Sequence, residues 1–296
     1  MFQRGIAASA KFVVATHPLY VIYAKLFENT YRALTIAFSL ETSEFFHKTN
    51  PELSANVLLT LMNTKSNVCI PQPSAGIGGP CLPENPWYIS DGNFHGLSIV
   101  KEMMQYYIKE RAAHLSTEIY KQICDFIAEL TVPTNRVSLT VCGKGYKPGT
   151  QDQTNSPIAA VFKMMCDRKN KRYRIYNKSQ QKQVSFQIEI VEDMTTKMNP
   201  WVILMGNLTT MDKNILLNVV EQTIKHHPLL LIDLSQGAGA TKFLFYSAMI
   251  SEEVFIKPFV GATITSMYDT PRYLINVDHL MTHEDDCIKD ILESDE

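Results

Sequence analysis

A cysteine stands directly after a glycine-rich turn in the run Pro71–Ile89, PQPSAGIGGPCLPENPWYI. Ala75, Gly76, Gly78 and Gly79 lead to Cys81. Glycine opens backbone conformations closed to other residues and lets a ligand approach the main chain. A cysteine presented from such a loop is placed for covalent chemistry on a bound substrate. A second glycine turn, Gly143-Lys144-Gly145-Tyr146-Lys147-Pro148-Gly149, follows a β-branched run. A turn of this kind can hold a phosphate at a helix N-terminus, or it is a plain strand–helix connection. His279 and His283 sit at i and i+4, a metal-compatible spacing. With no third ligand nearby they are read as a surface pair, and no metal site is assigned.

The elements that must position these residues fall into two halves. From about residue 18 to 130 the apolar spacing is mostly helical. Leu19, Ile22, Tyr23, Leu26, Tyr31, Leu34, Ala37 and Phe38 recur at threes and fours, and the pattern runs to about His47. A second helix is expected over 51–62 with proline in its first turn. Two more are expected over 93–110 and 113–130. The texture changes at Val132-Pro133-Thr134-Asn135. Short β-branched runs then alternate with amphipathic stretches. Strands are expected at 136–142, 172–176, 186–191, 201–205 and 229–234, with helices at 156–167 and 211–226. Alternation of this kind predicts a parallel, doubly wound sheet. The expected fold class is therefore α/β: a central helical dimerisation region, 1–131, followed by a Rossmann-like parallel-sheet domain, 132–280. An acidic tail, 281–296, is expected to be frayed.

Composition excludes little beyond extremes. The chain has 296 residues and a formal net charge of −2, which gives no case for nucleic acid or a membrane surface as partner. The six cysteines are scattered with no CxxC pair, a usage expected of reduced thiols in the cytoplasm. The apolar stretch 12–27 is broken by His17, Pro18 and Lys25 and is too short to span a bilayer. Residues 168–178 carry six positive charges, read as a solvated helix end and strand edge, with phosphate binding as the lesser reading.

Three motifs then line up in order. Lys25-Leu-Phe-Glu-Asn29-Thr-Tyr-Arg32 lies on the first helix. Gly78-Gly79-Pro80-Cys81-Leu82-Pro83-Glu84-Asn85 forms the loop. Gly143-Lys144-Gly145-Tyr146-Lys147-Pro148 opens the second half, followed by Asp152 and Ser156-Pro157. Together they resemble the UDP-glucose/GDP-mannose 6-dehydrogenase family, most of all the branch acting on UDP-N-acetylmannosamine or UDP-N-acetylglucosamine. The resemblance is clear over residues 17–165. It implies an NAD-dependent oxidation of a sugar C6 alcohol to a carboxylate. It also implies a homodimer built on the central helices and a C-terminal domain for the UDP-sugar. By that resemblance Cys81 matches the nucleophile that forms a thiohemiacetal and then a thioester. Lys25 and Asn29 match the pair that steadies the oxyanion, and at i and i+4 they share one helix face. Arg32, Gly78, Gly79 and Lys147 match substrate-binding positions.

The departures matter as much. The family's aspartate four residues after the cysteine is Asn85, which cannot act as a base. Two family arginines are matched by Thr154 and Ser235, and a glutamate before the lysine by Ile22. No strand–GxGxxG–helix unit precedes Lys25 in the sequence. NAD, the family's cofactor, is therefore not expected to bind this chain alone. The expectation is a truncated, divergent homolog, inactive by itself and binding at most UDP or a UDP-sugar. Two alternatives stand beside it: an active UDP-N-acetylhexosamine 6-dehydrogenase whose NAD domain comes from another chain, and a dimeric scaffold that binds no ligand.

Overall fold

Pro18 fits the first turn of a helix, where its missing N–H leaves no bond unmade. The His17 ring caps that turn, its Nδ1 accepting from the Leu19 N–H at 3.2 Å. Helix α1 then runs from Pro18 to Thr49, with His47 and Lys48 in its last turn, where positive charge suits the dipole. The computed structural model describes residues 13–50, 53–90, 97–131, 134–167, 169, 171–192, 194, 200–223, 226, 229–236, 262–266 and 273–274. The histidine pair 279/283 and the acidic tail lie outside the described residues, as does the start of the 51–62 expectation.

Helix α2 spans Ala55–Met62 and begins later than the sequence suggested, because Ser54 supplies the cap by accepting from the Val57 N–H. The glycine–cysteine loop follows and closes with a single helical turn, α3, Trp87–Ser90. Helix α4, Ser98–Met103, passes directly into a π-helical stretch, Met104–Glu110. Helix α5, Arg111–Glu129, continues the same path.

The second half is a seven-stranded sheet in the order β2-β3-β1-β4-β5-β6-β7. The strands are β1 Arg136–Lys144, β2 Arg172–Asn177, β3 Lys182–Ile190, β4 Val202–Asn207, β5 Leu229–Asp233, β6 Ala262–Ser266 and β7 Tyr273–Leu274. Helices α6, Pro157–Cys166, and α7, Thr210–Thr223, fall between them. From β3 to β6 the pairings are parallel, while β2 and β7 pair antiparallel at the two edges. The sheet is thus mostly rather than wholly parallel. The sequence 172–190 forms a hairpin, so its second run joins β1 and its first becomes the edge.

Burial follows the sequence patterns. Strands β4 and β5 are buried at every residue, as continuous apolar runs covered on both faces should be. The α5 stripe Leu115, Ile119, Ile123 and Ile127 packs with α6 and with Val137, Leu139, Phe186 and Ile188 of the sheet. Each such side chain contributes roughly 1.5–3 kcal/mol by leaving water. On the opposite face α7 covers Cys142, Ile203, Met205, Leu229 and Leu231. A smaller core joins α1 to the loop and α4 through Ala33, Ala37, Ile77, Val100, Met103 and Met104.

Candidate functional site

The glycine–cysteine loop lies where α1 meets the sheet domain. Asn29 is buried on α1, and its Nδ2 donates to Asn85 Oδ1 at 3.3 Å. Asn85 in turn belongs to the turn that carries Cys81, since its N–H donates to the Cys81 carbonyl at 2.9 Å. The helix asparagine and the residue four after the cysteine therefore face each other, and Cys81 stands exposed beside them as a free thiol.

Lys25 and Arg32 lie on the same helix but in solvent. Lys25 Nζ pairs with Glu28 Oε2 at 2.7 Å, and Arg32 lies 3.8 Å from the same carboxylate. The Lys25 ammonium holds the Glu28 carboxyl below its usual range. Among the described residues Lys25 makes no hydrogen bond to the Cys81 turn. One helical turn, about 6 Å, separates it from Asn29. Ile22, at the family's glutamate position, is half exposed.

The two loop glycines are filled by protein. A Cβ on Gly78 would lie 2.8 Å from Pro157 Cδ and 3.1 Å from the Asn155 carbonyl. Gly79 has φ +92°, and a Cβ there would lie 2.8 Å from the Tyr146 ring. Its N–H donates to the Thr154 carbonyl at 3.0 Å, and its carbonyl accepts from Asn155 Nδ2 at 3.3 Å. Asn155 also reaches Glu84 Oε1 at 3.3 Å. Close approach in this loop thus serves the junction with the sheet domain. Tyr146, Asn155 and Pro157 form that junction; Tyr146 and Pro157 stood in the third sequence motif with no role of their own, and Asn155 was not singled out.

Behind the loop, Arg111 is 2% exposed at the head of α5. It pairs with Glu44 of α1 and donates from Nε to the Ala75 carbonyl at 2.9 Å. A cavity of about 220 Å³ opens there, lined by Ile77, Glu84, Trp87, Tyr107, Arg111 and Asn155 among others. Sequence reasoning missed Arg111, which fell in the gap between the expected helices 93–110 and 113–130, where the structure has α5 begin.

Lys147 is exposed, with Nζ 5.5 Å from the centre of the Tyr146 ring. Thr154, at a family arginine position, hydrogen-bonds Asp152 Oδ1 through both N–H and hydroxyl and lowers that carboxyl. Ser235, at the other, donates its hydroxyl to the buried Asp233 at 2.6 Å. The Gly143–Gly149 turn fits poorly as a dinucleotide cradle. The space beside Gly143 is taken by the Asn207 backbone, and that beside Gly145 by the Thr150 carbonyl. Helix α6 starts only at Pro157, so no helix N-terminus follows the glycines closely. These residues do not fit NAD.

Among the described residues no helix is long and apolar enough to cross a membrane. Residues 22–106 match the UDP-glucose/GDP-mannose dehydrogenase family, central domain. The chain is similar to the UDP-N-acetyl-D-mannosamine dehydrogenase of Yersinia pestis, 27% identical over 48% of this chain and 33% of that protein. It is also similar to the enzyme of that name from Campylobacter jejuni, 31% identical over 46% of this chain and 31% of the other. The matched stretch thus spans about a third of the length of these relatives. In fold it resembles the UDP-D-ManNAc dehydrogenase of Pyrococcus horikoshii, with TM-score 0.53 at 18% identity over 73% of this chain and 47% of that one. It resembles the NDP-N-acetyl-D-galactosaminuronic acid dehydrogenase of Methanosarcina mazei likewise, with TM-score 0.53 at 13% identity, over 84% and 50%. Cys81, Asn29 and Asn85 assemble around one turn, and all three lie within residues 22–106, the stretch that is similar to the central domain of the UDP-glucose/GDP-mannose dehydrogenase family.

Proposed function

We propose that the chain is a divergent nucleotide-sugar 6-dehydrogenase homolog that is inactive by itself and binds at most UDP or a UDP-sugar. The observation that carries this reading is the Asn29–Asn85 hydrogen bond. It keeps the loop and the helix in register, but it places an amide where the family has a carboxylate. An amide takes up no proton at neutral pH, so a thioester formed on Cys81 would lack its base for hydrolysis. Cys81, Lys25 and Asn29 are the inherited catalytic positions, and Arg32, Gly78, Gly79 and Lys147 the substrate positions. Residues 1–131 act as the dimerisation domain, 132–280 as the UDP-sugar domain and 281–296 as a tail. Phe38, Phe45, Val57, Leu61 and Ile99 are exposed on the helical region and are the apolar surface for the second copy. The free thiols fit a cytoplasmic chain.

The test is direct. The chain incubated with NAD and UDP-N-acetylmannosamine yields no reduced cofactor, while UDP raises the melting temperature by mass action. Reduced cofactor formed by the chain alone would sink the reading. No shift with UDP would favour a scaffold instead.

A second reading is favoured by one feature. In the first half of α1, Leu19, Tyr20, Ile22, Tyr23 and Phe27 are exposed around Lys25. A separate chain carrying an NAD domain would cover that face and complete an active enzyme. On this reading activity appears when that chain is added and vanishes in Cys81→Ser.

A further inference from the structure

The hairpin β2–β3 carries a basic face that the proposed activity does not use. From 168 to 188 the sequence has no Asp or Glu. Among the described residues, Lys169, Lys171, Arg172, Arg174, Lys178 and Lys182 are all exposed, and no ion pair involves any of them. Strand alternation sorts them. Tyr173, Ile175, Val184 and Phe186 point into the core shared with α5 and α6. Arg172, Arg174 and Tyr176 point the other way, opposite Gln187, Ser185 and Gln183. Arg136 of β1 pairs with the same Gln187, so Arg172 and Arg136 flank it in one row across three strands. Glu189, one pair further along β3, is the acidic residue on this face. Helix α7 covers this side of the sheet over β1, β4 and β5, while Arg172, Arg174, Gln183 and Ser185 on the β2–β3 face are exposed. Strand β2 is also the edge of the sheet, and a sheet edge is where an extended segment can add as a further strand.

We propose that this face is the docking site of the chain's own acidic segment 284–296. That segment holds seven carboxylates, Glu284, Asp285, Asp286, Asp290, Glu293, Asp295 and Glu296, against one lysine, Lys289. Charge complementarity selects an acidic peptide, and tethering supplies it at high effective concentration. Reach permits it. The last described strand, β7, lies at the far edge of the sheet, six strand spacings from β2, or about 29 Å. The ten residues 275–284 can extend about 33 Å and the twenty-two residues 275–296 about 73 Å, enough for the segment to pass around α7. A nucleic acid is disfavoured as occupant, since the sequence pI is about 6.5 and nucleic-acid modules are commonly strongly basic.

Zero-length carbodiimide coupling of the full chain tests this, with the linked peptides read by mass spectrometry. The expected result is intramolecular amide links from the segment's carboxylates to Lys171, Lys178 or Lys182, suppressed by high salt. Links should fall several-fold in R172E/R174E, whose melting temperature should be unchanged because both arginines are exposed. They should return when D285K/D286K is added to that variant. Absence of links, or equal yield in R172E/R174E, overturns the proposal. An R172E/R174E-sensitive affinity for a single-stranded oligonucleotide without tail links also overturns it and assigns the face to nucleic acid.

Discussion

The two halves of α1 both carry apolar side chains but have opposite surroundings. In the second half, Ala33 and Ala37 are buried against the loop and α4, Leu40 is fully buried, and Glu44 is tied to the buried Arg111. In the first half, Leu19, Tyr20, Val21, Ile22 and Tyr23 are all about half exposed or more, and among the described residues Lys25 pairs with Glu28 alone. Asn29 marks the boundary between them. One continuous helix thus carries one side of the candidate site into the folded body and leaves the other side open. Helical periodicity states that a face is apolar; it does not state what covers it.

Breaking the packed half should have the largest effect. Arg111→Ala strands the Glu44 carboxylate and the Ala75 carbonyl, and should cost about 3 kcal/mol, read by chemical denaturation. Leu40→Ala should cost a similar amount, about 3 kcal/mol, by opening a cavity. Ile22→Ala in the open half should stay within about 0.5 kcal/mol. Equal losses at residues 40 and 22 would show that the first half of α1 is also packed in solution. Next in size, Gly79→Ala should cost about 2 kcal/mol, because φ is +92° and Tyr146 occupies the space. Co-substitution Tyr146→Ala should recover only the steric part of that loss.

A gentler probe sharpens the same contrast between open and closed sites. Alkylation at mild alkaline pH should modify Cys69 and Cys81, which are exposed, and spare Cys142 until unfolding. Burial, then the nearby Asp212, pushes the Cys142 thiol up to about 12 from an ordinary 9.0. The folded state therefore holds that proton more tightly than the unfolded one. Its contribution to stability is complete below pH 9 and declines as pH rises toward 12. Replacing Cys142 by Ala should flatten that alkaline decline. An unchanged pH profile in Cys142→Ala would place the alkaline loss elsewhere.

Much of the fold was legible because the signals were local. Proline at 18, the periodic run after it, Ser156-Pro157 and the apolar runs 201–205 and 229–234 each declared their element. The hairpin 172–190 was not legible as antiparallel, because its two runs and its turn residues Ser179-Gln180-Gln181 carry no Asn-Gly or Gly-rich hairpin signature. The π-helical stretch after α4 was equally hidden, as its residues read as ordinary helix. At the site, the glycines and Cys81 stood out by type. Their purpose did not, since the Gly79 and Gly78 spaces are filled by Tyr146 and Pro157 from more than sixty residues away.

By itself the sequence determined most of the helices and strands, the order of the motifs and the replacement of a carboxylate by Asn85. Those properties are local, or are read by comparison of residue types. Tertiary structure alone decided that Asn85 meets Asn29, that the loop glycines serve a junction, and that Arg111 lies beneath it. These depend on contacts between distant segments, whose free energy comes from burying surface jointly, and no window of the sequence contains both partners.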